Sequence, residues 1–275
     1  MRILFIGGGN MATALIGGLL QLGFQAGDLR VVEVSDEARR RLQQQFGVRA
    51  TPALDDEIAE EVVLLAVKPQ QLAGAAGQLA GKLHGQLIIS IAAGIRTADL
   101  ARWLGGHDRI VRAMPNTPAL IRSGVSGLFA GAAVGQADRA SAQGILAAVG
   151  GVVWVGKEAD IDAVTALSGS GPAYVFYFIE ALERAGVELG LTAAQAHELA
   201  VQTFAGAAKL AVASEEPAAV LRARVTSKAG TTEAALLAME AHDIARHITQ
   251  AVHAAARRSR ELGDEFGRDR TENKS

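Results

Sequence analysis

The chain has no cysteine, which excludes disulfides, thiolate metal sites and a cysteine nucleophile. Aromatic residues make up only 4% of it, too few for a platform on which nucleobases could stack. With a formal charge of −2 it offers no basic face for nucleic acid. No stretch reaches the roughly 18 uninterrupted apolar residues that a membrane span needs. The opening "MRILFIGGGNMATALIGGLL" starts like a secretion signal, but three consecutive glycines and Asn10 break the run and no convincing small-residue cleavage site follows. Metal-ligand spacing is missing, as is any catalytic histidine or carboxylate dyad. His197, His242, His247 and His253 fall on helical stretches, where a solvated or core role is expected. A cytoplasmic protein is implied, with no nucleic-acid, membrane or metal partner.

What is present is a large apolar content, 49% against 20% charged, in 275 residues; at about 150 residues per domain this suggests two domains. Short runs rich in Val, Ile and Leu occur at 2–7, 29–34, 61–67, 85–92, 109–114 and 151–156. They are nearly continuously apolar, as strands of a parallel sheet covered on both faces must be. Helical stretches at 10–22, 36–45, 69–81, 97–104 and 136–149 alternate with them. The pattern predicts a doubly wound, Rossmann-type α/β domain over 1–160. From 161 to 275 the strand signals stop. Helices are expected over 171–189, 193–213, 217–224, 230–241 and 242–263, followed by a charged, frayed tail. Pro172 stands near one helix start, and Thr192 with Gln195 forms a capping box at another. The helices at 171–189 and 193–213 are apolar nearly all round. Interlocked helices of two subunits would explain this, and so would a tight bundle within one chain.

Chemistry is suggested first by "GGGNMA", Gly7, Gly8, Gly9, Asn10, Met11 and Ala12, which leaves the first strand and opens a helix. Gly7, Gly9 and Ala12 fit G-x-G-x-x-G/A, where glycines let a pyrophosphate approach the backbone and a helix N-terminus supplies amides and positive dipole. Glu33, about 20 residues on, can accept from an adenosine ribose and would repel a 2′-phosphate, whereas Ser35, Arg39 and Arg40 could bind one. The cofactor is therefore read as NADPH or NADH. "AVKPQ" (Ala66, Val67, Lys68, Pro69, Gln70) and "AMPNTPA" (with Met114, Pro115, Asn116 and Thr117) end two more strands, at the carboxyl edge where ligands of open α/β sheets sit. Two turns, "LSGSGPAY" at 167–174 and "TSKAGTT" at 226–232, combine hydroxyls and glycine just ahead of helices. Each could present amides and Ser or Thr hydroxyls to a carboxylate, or could simply cap its helix.

Taken together, "FIGGGNMA", "AVKPQ", "SIAAGI", "RAMPNTPA", "LSGSGPAYVFYFIEA" and above all "VTSKAGTTEAALLAME" resemble pyrroline-5-carboxylate reductase over nearly the whole chain. The resemblance implies a Rossmann domain followed by a helical domain that dimerises by interleaving helices, with dimers of some members assembling into decamers. It implies that 1-pyrroline-5-carboxylate is reduced to L-proline by NADPH or NADH. The Gly7–Ala12 turn would hold the pyrophosphate, with Ala66–Pro69 and Met114–Thr117 at the nicotinamide end. Ser227, Gly230, Thr231 and Thr232 would bind the substrate. Thr232 would meet the ring nitrogen, and Glu215 would join a proton relay. The chain departs from the family's Ser-Pro-Gly-Gly at Lys228 and Ala229. Alanine resists the left-handed backbone that glycine adopts freely, and Lys228 adds positive charge beside the carboxylate. Two other classes share the domain plan: β-hydroxyacid or imine reductases with a catalytic Lys or Asp on a helix of the second domain, and non-catalytic nucleotide sensors.

Overall fold

The computed structural model describes residues 1–268. Its sheet is built from the apolar runs: β1 (Ile3–Ile6), β2 (Leu29–Val32), β3 (Arg49–Thr51), β4 (Val62–Leu65), β5 (Leu87–Ser90), β6 (Ile110–Met114), β7 (Gly124–Ala130) and β8 (Gly150–Trp154). The spatial order is β3-β2-β1-β4-β5-β6-β7-β8. Interleaved with the strands are α1 (Asn10–Gln21), α2 (Asp36–Phe46), α3 (Pro69–Leu79), α4 (Thr97–Trp103), α5 (Gln136–Ala147) and α6 (Asp160–Val164). β1, β2, β4 and β5 are buried at every position, which is why they read as continuous rather than alternating runs. One face of the sheet, with Phe5, Val31 and Ile89, packs on Leu15 and Leu19 of α1, Leu42 of α2 and Ile145 of α5. The other, with Leu4, Val63 and Ile88, packs on Leu72 and Leu79 of α3 and Leu100 of α4.

The sheet is not wholly parallel, contrary to the sequence reading: β7 runs antiparallel to β6. The connection between them holds only a short 3-10 turn at Thr117–Ile121, and a parallel return requires a crossover of a dozen residues or more. β7 itself, "GVSGLFA", carries two glycines and a serine and so lacks the dense apolar signature of the other strands. β3 was also missed, being three residues long at the sheet edge.

Then come a π-helix at Thr165–Gly169 and the helices α7 (Gly171–Glu188), α8 (Ala193–Ala213), α9 (Ala218–Arg224), α10 (Thr231–Ala241) and α11 (Ile244–Gly267). The Thr192 capping box forms as expected: Thr192 Oγ1 accepts from the Gln195 amide at 3.3 Å, and Gln195 Oε1 accepts from the Thr192 amide at 3.0 Å. By compactness, Met1–Ser170 together with the described residues from Ala255 forms one unit, and Gly171–Ala254 the other. The division thus differs from a cut at 160/161, with the end of α11 grouped in the first unit. There Ser259 Oγ donates to Asp162 Oδ1 at 2.6 Å, Arg96 pairs with Asp264 at 2.6 Å, and Phe266 packs on the core beside α3 and α4. Residues 263–267 of the expected frayed tail are helical, and 269–275 lie outside the described residues.

Candidate active site

In the first unit the carboxyl ends of β1, β2 and β4 meet at the glycine turn. Gly7 has φ +99, and a Cβ there would stand 2.8 Å from the Ala66 carbonyl oxygen, so only glycine lets the turn lie against the end of β4. Gly9, the N-cap of α1, faces open space, with nothing within 4 Å of where its Cβ would be. No side chain caps α1, and its first turn holds no acidic residue. The positive end of the helix is therefore left for an external anion. Asn10 is exposed, Met11 half-buried and Ala12 buried in the core.

Glu33, half-buried just beyond β2, already carries two amides: Oε2 accepts from Gly8 N at 2.7 Å and Oε1 from Ser35 N at 2.8 Å. It fixes the glycine turn to the start of α2. Ser35 is the N-cap of α2, its hydroxyl accepting from Ala38 N at 3.3 Å, and Asp36 and Glu37 occupy the first turn. The arginines considered for a 2′-phosphate are engaged locally. Arg39 donates to the carbonyls of Glu33 and Val34, and Arg40 pairs with Asp36 at 2.7 Å.

Along the same sheet edge, Ala66 and Val67 abut Gly7. Lys68 is the exposed N-cap of α3, with Pro69 at the helix start. At the end of β6, Met114 is half-buried, Pro115 buried and Thr117 exposed. Asn116 is buried, and both ends of its amide are engaged: Nδ2 donates to the Ser168 carbonyl at 3.1 Å, and Oδ1 accepts from Val125 N at 2.9 Å. Its side chain is a clip between β7 and the π-helix. Two residues before Met114, the buried Arg112 pairs with Glu158 at 3.3 Å, and Glu158 also accepts from the Thr97 amide and hydroxyl at 2.6 and 2.8 Å. Burial pulls Arg112 below the usual arginine value, opposed by Glu158 and Asp162. Sequence reasoning missed this hub, whose one signal was an arginine inside an apolar strand.

The first hydroxyl-rich turn, "LSGSG", begins inside the π-helix. Of its two serines, Ser168 turns back onto the chain, its Oγ donating to the Val164 carbonyl at 3.0 Å, as Thr165 just ahead of the turn does to the Ile161 carbonyl at 2.8 Å. A Cβ on Gly169 would lie 2.6 Å from Met114 Cε, so a side chain there would have to displace the methionine's end.

The second turn, in the Gly171–Ala254 unit, is different. Gly230 N donates to the Ser227 carbonyl at 3.0 Å, closing a four-residue turn with Lys228 and Ala229 at its centre. Ala229 does reach the left-handed region, with φ 58. Gly230 is the N-cap of α10 and has no side-chain cap. A Cβ there would come within 2.4 Å of Ser227 Oγ. Ser227 and Thr231 are exposed and Thr232 half-buried, so hydroxyls and helix-start amides share one small site. Glu215 is exposed near the end of α8; it is the next residue, Glu216, that forms an ion pair, with Arg224.

Comparison with known proteins gives two family matches. Residues 158–262 match the family described as pyrroline-5-carboxylate reductase dimerisation, and residues 2–94 match one described as NADP oxidoreductase coenzyme F420-dependent. The pyrroline-5-carboxylate reductase of Pseudomonas aeruginosa is 46% identical over 97% of this chain and 98% of its own. Among solved structures, a pyrroline-5-carboxylate reductase from Coxiella burnetii superposes with a TM-score of 0.90 at 41% identity, covering 95% of this chain and 98% of that one. A pyrroline carboxylate reductase from Plasmodium falciparum, with NADP bound, gives 0.83 at 28% identity, covering 96% and 98%.

Proposed function

This chain belongs to the pyrroline-5-carboxylate reductase family, and from that membership we propose how its residues divide the work. The enzyme reduces the C=N bond of 1-pyrroline-5-carboxylate to give L-proline, the final step of proline biosynthesis, with NADPH or NADH as reductant. When bound, the reduced nicotinamide supplies the hydride. The residues fit such a cofactor on one structural ground above all: a glycine turn too tight for a Cβ at Gly7 leads to an uncapped helix start that is open at Gly9.

In this reading the amides of the Gly7–Ala12 turn hold the pyrophosphate. Glu33 keeps that turn in shape and has lone pairs left for a ribose hydroxyl, with Ser35 beside it. Ala66, Val67, Lys68 and Pro69 line the nicotinamide end together with Met114, Pro115, Asn116 and Thr117. Asn116 acts there through the loop shape it imposes, since both ends of its amide are engaged within the protein. The substrate carboxylate and ring are held by Ser227, Gly230, Thr231 and Thr232. The observation that carries this assignment is the turn closed from Gly230 N to the Ser227 carbonyl, opening onto an uncapped helix with two threonines in its first turn. Thr232 Oγ1 would donate to the ring nitrogen and polarise the C=N bond, and that nitrogen would take up a proton from solvent as the imine carbon is reduced. Glu215, in solvent, exchanges protons with the site. No strong base is required, so the main service is orientation, which can contribute several kcal/mol to the barrier.

We further propose a homodimer, the unit from which a decamer would be built, acting in the cytoplasm, where the reduced nicotinamides are found. Support comes from the Gly171–Ala254 unit: α7 has no buried residue, and Tyr177, Leu189 and Val212 are 71%, 85% and 89% exposed. An intrachain bundle of these helices therefore leaves their apolar faces in water, where a second copy would cover them. The test of the site is Thr232→Ala, which is expected to lower kcat roughly ten- to a hundredfold. Wild-type turnover in that variant removes Thr232 from the reaction.

A further inference from the structure

Ala229 stands where most L-residues do not, at φ 58, in the third position of a turn that ordinarily takes glycine or asparagine. A hydrogen bond from its own amide holds it there. The Ala229 amide donates to Oε2 of Glu233 at 2.6 Å, and Glu233 is the third residue of α10, one beyond Thr232. Its carboxylate therefore reaches back over the helix start and binds the amide of the strained residue itself.

We propose that Glu233 is a positioning residue for the substrate. By accepting the Ala229 amide, it keeps Ala229 left-handed and so fixes the direction of the amides and hydroxyls from Ser227 to Thr232. The alanine and the glutamate act as a pair. The methyl group makes the left-handed turn unfavourable, and the carboxylate restores it, so a glycine at 229 would make Glu233 largely dispensable. This rests on the reading of that turn as the substrate site.

The experiment is a double-mutant cycle on the full-length enzyme, following KM for 1-pyrroline-5-carboxylate, KM for the nicotinamide cofactor and the melting temperature. Glu233→Ala alone is expected to raise the substrate KM about tenfold, with cofactor KM unmoved. Glu233→Gln, which keeps an acceptor oxygen, recovers most of that loss. In an Ala229→Gly background, Glu233→Ala raises the substrate KM by less than about threefold, a coupling typical of contacting residues. An equal factor in both backgrounds overturns the pairing. A lower substrate KM in both Glu233→Ala and Glu233→Gln overturns the positioning role, since it would mean that Glu233 competes with the substrate. A drop in melting temperature with no change in KM reduces Glu233 to a helix cap, which also overturns it. Ser227→Ala and Thr232→Ala serve as controls. If neither moves any kinetic constant, the turn is not the substrate site; if they do and the cycle is additive, only the role of Glu233 fails.

Discussion

Glu33→Ser separates two jobs that the structure gives to one carboxylate. Serine is too short to reach the glycine turn, so the 2.7 Å bond to Gly8 N is lost. A hydrogen bond to a charged partner contributes about 1.5–3 kcal/mol. At the low end, suited to a half-buried group, loosening the turn weakens cofactor binding about tenfold. That loss falls on NADH and NADPH alike and cancels in their ratio. The ratio instead reports the charge: removing a carboxylate from beside a 2′-phosphate relieves about 1–2 kcal/mol of repulsion in solvent-exposed surroundings. NADH in addition loses a ribose acceptor. The expected outcome is weaker NADH binding, NADPH binding held or improved, and a preference ratio moved toward NADPH by roughly an order of magnitude. Dissociation constants from the fluorescence quenching of each reduced cofactor, beside KM values at saturating 1-pyrroline-5-carboxylate, measure both terms. If both affinities fall and the ratio stays put, Glu33 shapes the turn only and another group reads the ribose.

Asn116→Ala strands the Val125 amide and the Ser168 carbonyl in a part-buried site, a loss of about 1 kcal/mol or more, so the urea midpoint should fall and kcat with it; an unchanged midpoint refutes the clip. Asp138 bonds Arg109 at 2.8 Å, and that side-chain hydrogen bond is the chief reason its carboxyl sits below the usual aspartate range. A depressed value stabilises the fold above the unfolded-state value of about 3.9 and ceases to as pH drops through the lower folded one. The melting-temperature gap between wild type and Asp138→Asn should then be flat from about pH 5 to 8 and close below about pH 4; a gap that widens on acidification contradicts it. Sedimentation at increasing dilution should show a dimer, with substrate KM rising as it dissociates, and a well-behaved active monomer would refute the proposed assembly.

The apolar runs were legible in the sequence because burial on both faces leaves no room for alternation, and β1, β2, β4 and β5 are buried at every residue. β7 was not, because its glycines and serine erase the pattern; its direction follows from a short loop that no periodicity encodes. The glycine turn was equally readable, since φ +99 at Gly7 admits little else. "LSGSG" stayed open for a reason of chemistry: hydroxyls look the same in sequence whether they face a ligand or bond the carbonyl one turn back, as Ser168 does.

Ala229 shows how a departure from a family pattern can be compatible with the same backbone. Taken alone, alanine for glycine argues against a left-handed residue, because the cost of about 1–2 kcal/mol is paid by the alanine itself. The compensation sits four residues away, on the next helix turn, where Glu233 would ordinarily be read as a solvated carboxylate favouring the helix dipole. Sequence reasoning weighs each residue against its own position and so counts the cost without the offset. The apolar helices call for the same correction at larger scale. Along the sequence, α7 and α8 look like core; within one chain they bury only Ala196 and Ala200. In the proposed dimer a second copy would supply that cover, because each copy presents the same unsatisfied faces.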